Sequence, residues 1–462
     1  MTLRTDTASL ATPDFSYFKR MSMTCGRTVK RMITTMTTLA RRPGLSIAAA
    51  SENKAEAKAI YRLLGHPDLS EEVIVDTYHQ ETLRQMKASG ESVFLCVQDT
   101  TEIDFGAREK TVGLGEFRSS KSKGLLVHSA LVLTTSGLPQ GLLHQKIWAR
   151  DPALKGQRAV NRPYVEKESY KWTETAKASI QNVPETTRLI HIGDREADFF
   201  EFLYGLEQDE QSYVVRALQN RISETDGHRM WDKVCAQPEA LRMVVSIPRD
   251  TRQETPARET TLAIRYESDT VKVPNHLKYK GEGYTPLRCT VIHVIEVTPL
   301  PDQEPIEWFL LTNIPLSSGE EAYEKVSWYV KRWQIERFHY ILKSGCGVEK
   351  LQQHDAEKLR RLILMYAIIA LSLQRLTYLS RLDPTAPCTQ VMSEDEWQVL
   401  YRIANQTKTL PAKPPTLHEA VLALAKLGGF LGRKSDGNPG VKVLWRGLQV
   451  FQNVLSSYRF LL

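Results

Sequence analysis

The chain has 462 residues, 42% of them hydrophobic and 25% charged, with a net charge of +7. This is enough chain for two or three domains, and the ordinary globular composition sets aside a disordered or fibrous protein. Its six cysteines include no Cys-x-x-Cys pair, which argues against a zinc ribbon or disulfide framework and fits a reducing cytosol.

The chain opens with Thr2, Arg4 and Asp6 and has no apolar segment there, so no signal peptide is expected. The longest apolar run, Leu362 to Leu373, falls short of the roughly 20 residues a bilayer span needs. No membrane role and a cytoplasmic location are expected. Residues 1–70 hold eleven Lys and Arg against five Asp and Glu. Such a basic module suits a polyanionic partner, because neutralised phosphates release counterions. A solubilising helical surface would look the same, and charge alone weighs the two equally.

In chain order, residues 20–90 read as amphipathic helices: one from Arg27, one over Lys54–Leu64 and one over Glu71–Lys87. Ser51 and Ser70 are the expected N-caps, with breaks at Pro43-Gly44 and Gly65-His66-Pro67. The texture then changes to strands at Val93–Val97, Leu125–Thr134 and Gly141–Trp148. A helix from about Glu166 to Ile180 leads to a buried strand, Arg188–Ile192. Residues 211–315 are strand-rich and are expected to form an inserted β-domain. Helices return over Glu320–Lys343 and Asp355–Leu382, and a proline-containing stretch, Asp383–Pro415, precedes a C-terminal helical region.

Asp99 follows one buried strand closely and Asp194 follows another, and strand C-termini are where sites gather in α/β sheets. Two carboxylates on one edge repel unless a hard divalent cation lies between them. Each aspartate alone is a weak signal, since strand-end aspartates commonly form turns or cap helices. On an ideal helix Tyr329, Arg332, Glu336 and Lys343 fall within an arc of about 60°. Trp328, Ile335, Phe338 and Leu342 form the adjacent apolar stripe. One helix would then offer a metal carboxylate flanked by groups for phosphate. An ordinary surface Arg–Glu pair is the plainer account of the same spacing.

Together these residues resemble a family: the ribonuclease-H-like DDE transposases of bacterial insertion sequences, specifically the hairpin-forming Tn-five type. Its Tyr-x2-Arg-x3-Glu-x6-Lys signature is matched by Tyr329, Arg332, Glu336 and Lys343. The acidic motifs are similar at Val97–Thr101 and Gly193–Asp198, and further similarity runs over Arg27–Leu64, Lys123–Ser129, Gly141–Gln145, Val214–Arg216, Trp308 and Leu427–Phe430. The resemblance implies an α/β ribonuclease-H-like catalytic core with a mixed sheet. The domains would be an N-terminal helical DNA-binding unit (1–90), a catalytic domain (91–382, with a β insertion at about 205–318) and a C-terminal helical dimerisation region (383–462).

The resemblance also implies roles. Asp99, Asp194 and Glu336 would hold two Mg²⁺ ions, with Mn²⁺ able to substitute and Asp99 bridging both. Trp308 would stack on a flipped base. Tyr329, Arg332, Lys343 and Arg216 would hold phosphates, and Arg27, Lys30, Arg31, Arg41 and Arg42 would contact DNA. The reaction would be nicking, hairpin formation and resolution at transposon ends, then strand transfer into target DNA. It would run in a homodimeric synapse near the nucleoid without a nucleotide cofactor. A structure-selective nuclease and a catalytically silent transposition regulator are the alternatives. Two departures stand out. The family's aromatic pair before His128-Ser129 is Leu125-Leu126 here. The C-terminus ends at Phe460–Leu462, where the face of Val450, Phe451, Val454, Leu455 and Tyr458 is a candidate pairing surface.

Overall fold

The computed structural model describes residues 13–461 apart from positions 24, 107, 109, 119, 121, 155–161, 248–256, 279–282, 302–303 and 434–436. Positions 1–12, with Thr2, Arg4 and Asp6, lie outside the described residues, as do residue 462 and the side chain of Phe460. In chain order the helices are α1 (Gly26–Arg41), α2 (Ile47–Ala50), α3 (Lys54–Leu64), α4 (Glu71–Ser89), α5 (Tyr170–Ser179), α6 (Phe200–Gln208), α7 (Met230–Cys235), α8 (Asn275–Lys278), α9 (Gly319–Val330), α10 (Trp333–Tyr340), α11 (Ala356–Leu382), α12 (Glu394–Asn405), α13 (Leu417–Leu427) and α14 (Val441–Leu461). The strands are β1 (Val93–Asp104), β2 (Gly115–Glu116), β3 (Lys123–Thr134), β4 (Pro139–Trp148), β5 (Arg188–Gly193), β6 (Ser212–Arg216), β7 (Leu241–Ile247), β8 (Arg258–Val271), β9 (Leu287–Glu296) and β10 (Glu307–Thr312).

Ten strands form one mixed sheet in the order β2-β3-β1-β5-β6-β10-β9-β8-β7, with β4 paired to β3. The chain divides into two compact units, one of 1–91, 100–157 and 334–462, the other of 92–99 and 158–333. Strand β1 runs through both.

In the second unit β1, β5 and β6 are parallel, and β10, β9, β8 and β7 continue antiparallel from β6. The expected inserted β-domain therefore extends the core sheet instead of closing a sheet of its own, and β6 is itself a core strand. Residues Leu189–Gly193 of β5 are all buried, the pattern of a parallel strand covered on both faces. Trp172, Phe202, Leu203 and Tyr213 lie in the apolar core of this unit. Gly193 permits close packing: a Cβ there would collide with the Ala197 Cβ and lie 3.2 Å from the Trp172 ring. The residue before Asp194 is thus glycine for a steric reason.

The first unit holds the N-terminal helices, β2–β4 and the helices from α10 onward. Helix α4 seats on β4 through Thr82, whose hydroxyl donates to the Leu142 carbonyl at 2.8 Å. Ser70 caps α4 as expected. Asn53, not Ser51, caps α3: its side chain accepts from the Glu56 N–H at 3.0 Å, while the Ser51 hydroxyl bonds back to the Ile47 carbonyl at the end of α2. The apolar run at 362–373 belongs to the 27-residue α11, capped by Asp355. That helix is long and apolar enough to cross a membrane by length and composition, and its apolar window is 72% buried inside the protein. Buried on all sides, it is a core helix. The proline-containing stretch Asp383–Pro415 contains α12, opened by a capping box between Ser393 and Glu396. Ser-x-x-Glu ahead of Trp397 was the sequence signal for it.

The helix expected over Glu320–Lys343 is interrupted. Helix α9 ends at Val330, and Lys331 and Arg332 close i→i−3 bonds to Trp328 (3.1 Å) and Tyr329 (2.9 Å). Helix α10 follows, and Lys343 lies in a π-helical turn, Ile341–Gly345, closed by Cys346 N–H to the Ile341 carbonyl at 2.8 Å. A 3₁₀-like turn overwinds the chain and a π turn underwinds it. The single arc of about 60° drawn on an ideal helix is therefore not retained along this segment.

Candidate active site

The second unit carries both aspartates. The β1–β5 register runs Val93↔Arg188 to Val97↔Ile192, and continuing it sets Asp99 opposite Asp194, on neighbouring strands about 4.8 Å apart. Asp194 also caps the short 3₁₀ turn that follows, accepting from the Glu196 N–H at 2.9 Å. Of the two roles weighed in the sequence, the cap is the one these contacts show. Burial raises the Asp194 carboxyl above the usual carboxylate range, and Arg332 and Lys171 oppose that shift. A desolvated carboxylate gains from any cation placed beside it.

From Asp194 a line of aromatic and cationic side chains leads away within the same unit. Arg332 is one of the charges acting on Asp194. Its guanidinium lies 6.0 Å from the Tyr329 ring centroid. The Tyr329 and Trp308 rings meet edge-on with centroids 5.5 Å apart, and the Arg216 guanidinium lies 5.6 Å from the Trp308 centroid. Trp308 is half-buried on β10, not sealed in the core as an ordinary inserted-strand tryptophan would be. Tyr329 is buried, which raises its phenol above the ordinary value, with Arg332 and Arg216 opposing; it remains a neutral donor at pH 7.

Glu336 and Lys343 belong to the first unit. Glu336 is half-buried on α10. Lys343 pairs with Glu349 at 3.3 Å, and Glu349 also accepts from the Asp104 N–H at 3.3 Å. Among the described residues no three His, Cys, Asp or Glu side chains gather as a metal-binding group. Aspartates at neighbouring positions, Asp99 inside β1 and Asp194 just past β5, do suit magnesium, which commonly takes one or two protein carboxylates and fills its other positions with water and phosphate oxygens.

Of the expected N-terminal contacts, Arg27, Lys30 and Arg41 are exposed, while Arg31 and Arg42 are half-buried. Helix α3 adds a face that sequence reading passed over: Lys54, Lys58, Tyr61 and Arg62 are all exposed, opposite a buried face of Ala57, Ile60, Leu63 and Leu64. Spacing of i, i+4, i+7 and i+8 was the available signal. Trp333, also passed over, is 54% exposed beside the Arg332 guanidinium. Leu125 and Leu126 are buried, so they are core residues and make no aromatic surface. On α14, Phe451 and Leu455 are buried, Val450 is exposed, and Tyr458 accepts from Arg402 at 3.3 Å. Much of that candidate pairing face is thus already packed within its own unit.

Three family profiles match the chain: Transposase DNA-binding over residues 18–69, Transposase DDE domain over 173–373, and Transposase Tn5 dimerisation domain over 368–461. The ten-stranded mixed sheet with helical N- and C-terminal regions is that of a protein with a ribonuclease-H-like core. With these matches, the chain belongs to the DDE transposases of the Tn5 type. It is a metal-dependent enzyme that cleaves DNA and transfers strands, binds DNA, and has a dimerisation domain. Divalent metals, generally Mg²⁺ or Mn²⁺, serve this class. The profiles for the catalytic and dimerisation domains meet inside one continuous helix, α11.

Proposed function

We propose that the protein performs cut-and-paste transposition, with nicking, hairpin formation and hairpin opening at transposon ends before strand transfer into target DNA. The observation that carries this reading is the line Arg216–Trp308–Tyr329–Arg332 that ends at Asp194. A half-buried indole held between a guanidinium and a phenol is a platform for an extruded base, and the flanking arginines suit the phosphates on either side of it. Extrusion supports the sharp bend that a hairpin at a duplex end requires.

In this reading Asp99, Asp194 and Glu336 would hold two Mg²⁺ ions, replaceable by Mn²⁺. When bound, the ions activate the attacking oxygen and stabilise the leaving oxygen of an in-line displacement. Arg332 and Arg216 clamp the non-bridging phosphate oxygens, Tyr329 donates its phenol proton in a hydrogen bond to phosphate, and Lys343 exchanges Glu349 for a phosphate. Arg27, Lys30, Arg31, Arg41 and Arg42, with the exposed face of α3, bind the end duplex. The domain division follows: end binding in 1–90, catalysis in 91–382 with the β extension at about 205–318, and pairing of two protomers across two ends in 383–462.

The test incubates the protein with its own transposon-end DNA and Mg²⁺ and resolves the products on a denaturing gel. Nick, hairpin and reopened flush end are expected in that order. Nicking without any hairpin would leave a structure-selective nuclease, and binding without cleavage would leave a silent regulator.

A further inference from the structure

Asp198 closes the short turn that Asp194 opens, and the chemistry above does not use it. Its side chain is fully buried, and its contacts go to the segment after β6. One carboxylate oxygen accepts the N–H of Leu218 at 2.5 Å and that of Gln219 at 2.9 Å. The carboxylate also pairs with the buried guanidinium of Arg221, which donates back to the Asp198 carbonyl at 3.2 Å. A buried carboxylate is strongly unfavourable unless paired and hydrogen-bonded. This one is both, and what it holds is a surface segment: Leu218 itself is 55% exposed.

That segment is the continuation of Arg216. Behind it, Ala217 N–H bonds to the Phe309 carbonyl at 2.8 Å, which ties the strand to β10 one residue past Trp308. Ahead of it, Asp198 fixes Leu218 and Gln219. Arg216 itself pairs with Leu310 of β10 and its guanidinium donates to the Glu307 carbonyl at 3.5 Å, so the restraints at 217–219 hold the chain immediately after it while the guanidinium lies over the Trp308 ring.

We infer that Asp198 is a positioning residue for base extrusion: it fixes the 217–219 segment so that Arg216 stands over Trp308. This rests on the base-extrusion reading proposed above. The five-residue turn Asp194–Asp198 then couples the metal-facing carboxylate to the platform, one aspartate at each end.

The experiment uses the full chain, a transposon-end duplex with 2-aminopurine in its terminal base pairs, and Ca²⁺ in place of Mg²⁺ so that unstacking is read without turnover. Wild type, Asp198→Asn, Arg216→Ala and the double variant form a cycle. A fluorescence rise is expected with wild type and a loss of at least about five-fold in each single variant. Residues that act as a unit are non-additive, so the double variant should be no worse than Arg216→Ala alone. Losses that multiply, or a full rise in Asp198→Asn, would overturn the inference while leaving base extrusion intact. No rise with wild type would remove both. If Asp198→Asn is poorly folded, Asp198→Asn combined with Arg221→Gln keeps an acceptor for both N–H groups and removes the unpaired charge. With its melting temperature restored, that variant must regain unstacking to within about two-fold of wild type; a restored fold without unstacking makes Asp198 a structural anchor only.

Discussion

The carboxylates proposed for metal stand on two different kinds of backbone. Asp99 lies inside β1, two residues past its last pair with β5, and Asp194 directly follows β5; the two strands are parallel, in register over five consecutive pairs, and largely buried along that pairing. Glu336 lies on an eight-residue helix with a 3₁₀-like turn before it and a π turn after it. A strand end is positioned by the whole sheet, and shifting it by one residue would turn every side chain to the opposite face. A side chain on a short helix between irregular turns takes its direction from local winding. The proposed aspartate half therefore stands on paired, regular strands, with Asp194 desolvated by burial, and the proposed glutamate half is built on backbone that departs from regular geometry.

The largest effects test that contrast directly. Asp99→Asn, Asp194→Asn and Glu336→Gln should each reduce cleavage at least about a thousand-fold, the equivalent of roughly 4 kcal/mol in the barrier, with end binding retained in gel shifts. Stability should separate them. Burial raises the Asp194 carboxyl, so its ionised form weighs against the fold above the usual aspartate range and that weight lifts as pH falls through the raised value. Asp194→Asn should thus raise the melting temperature of the metal-free protein at pH 7, whereas Glu336→Gln, half-buried on α10, should change the unfolding free energy by no more than about 0.5 kcal/mol. Saturating Mg²⁺ at a hundred times its Kd should stabilise wild type by about 2.7 kcal/mol and Asp194→Asn by much less. Equal melting temperatures for all variants would contradict the desolvation argument.

Next in size is Trp308. Trp308→Ala should slow hairpin formation by roughly ten- to a hundred-fold, the 1–3 kcal/mol of a base–aromatic stack, and leave first-strand nicking nearly unchanged. Equal losses in both steps would make Trp308 a folding residue of β10 and reduce the platform to packing.

These outcomes also bear on what could be read from residue order alone. Asp194 after a buried strand was legible because a buried run followed by Asp is a local pattern, with Gly193 marking the close approach of Ala197, whereas β1 runs past Val97 to Asp104 and carries Asp99 inside it. The signature spacing from Tyr329 to Lys343 was legible as spacing, but its geometry was not: it was projected on an ideal helix, and nothing in the residues announces the turns at Lys331–Arg332 and Ile341–Gly345. The line from Arg216 through Trp308 to Tyr329 joins three distant segments by strand pairing and helix packing, which no local pattern encodes. Asp198 escaped for the opposite reason. In the run Asp194–Asp198 both aspartates look alike, and only burial separates the half-buried Asp194, proposed for metal, from the sealed Asp198 that holds Leu218 and Gln219.

A smaller effect concerns the basic module. Lys58→Ala on the exposed face of α3 should weaken end binding several-fold and reduce the slope of log K against log salt by about 0.9 if the lysine meets a phosphate. An unchanged slope with altered preference among end sequences would instead make it a base reader.

The smallest expected effect probes the rigidity of the strand half. His191 is buried on β5, with the Gln98 side-chain nitrogen 3.2 Å from its Nδ1, and burial holds its imidazole down at about 4 from an ordinary 6.5. The unfolded chain takes up a proton near pH 6.5 and the folded one only near 4, so unfolding binds a proton throughout that window. The stability from the neutral buried ring is therefore full above pH 6.5 and falls as pH drops towards 4, by at most roughly 1.4 kcal/mol per pH unit. His339 on α10, held down at about 3 by burial, adds a similar fall over a window reaching lower. In urea-denaturation midpoints measured from pH 7 to 3, His191→Gln should flatten the acid limb between pH 6.5 and 4, and His339→Gln should flatten it from pH 6.5 to below 4. If His191→Gln leaves the limb unchanged, the folded protein already protonates this histidine, and the β1–β5 pairing that presents Asp99 and Asp194 opens more readily than a sealed parallel pair would.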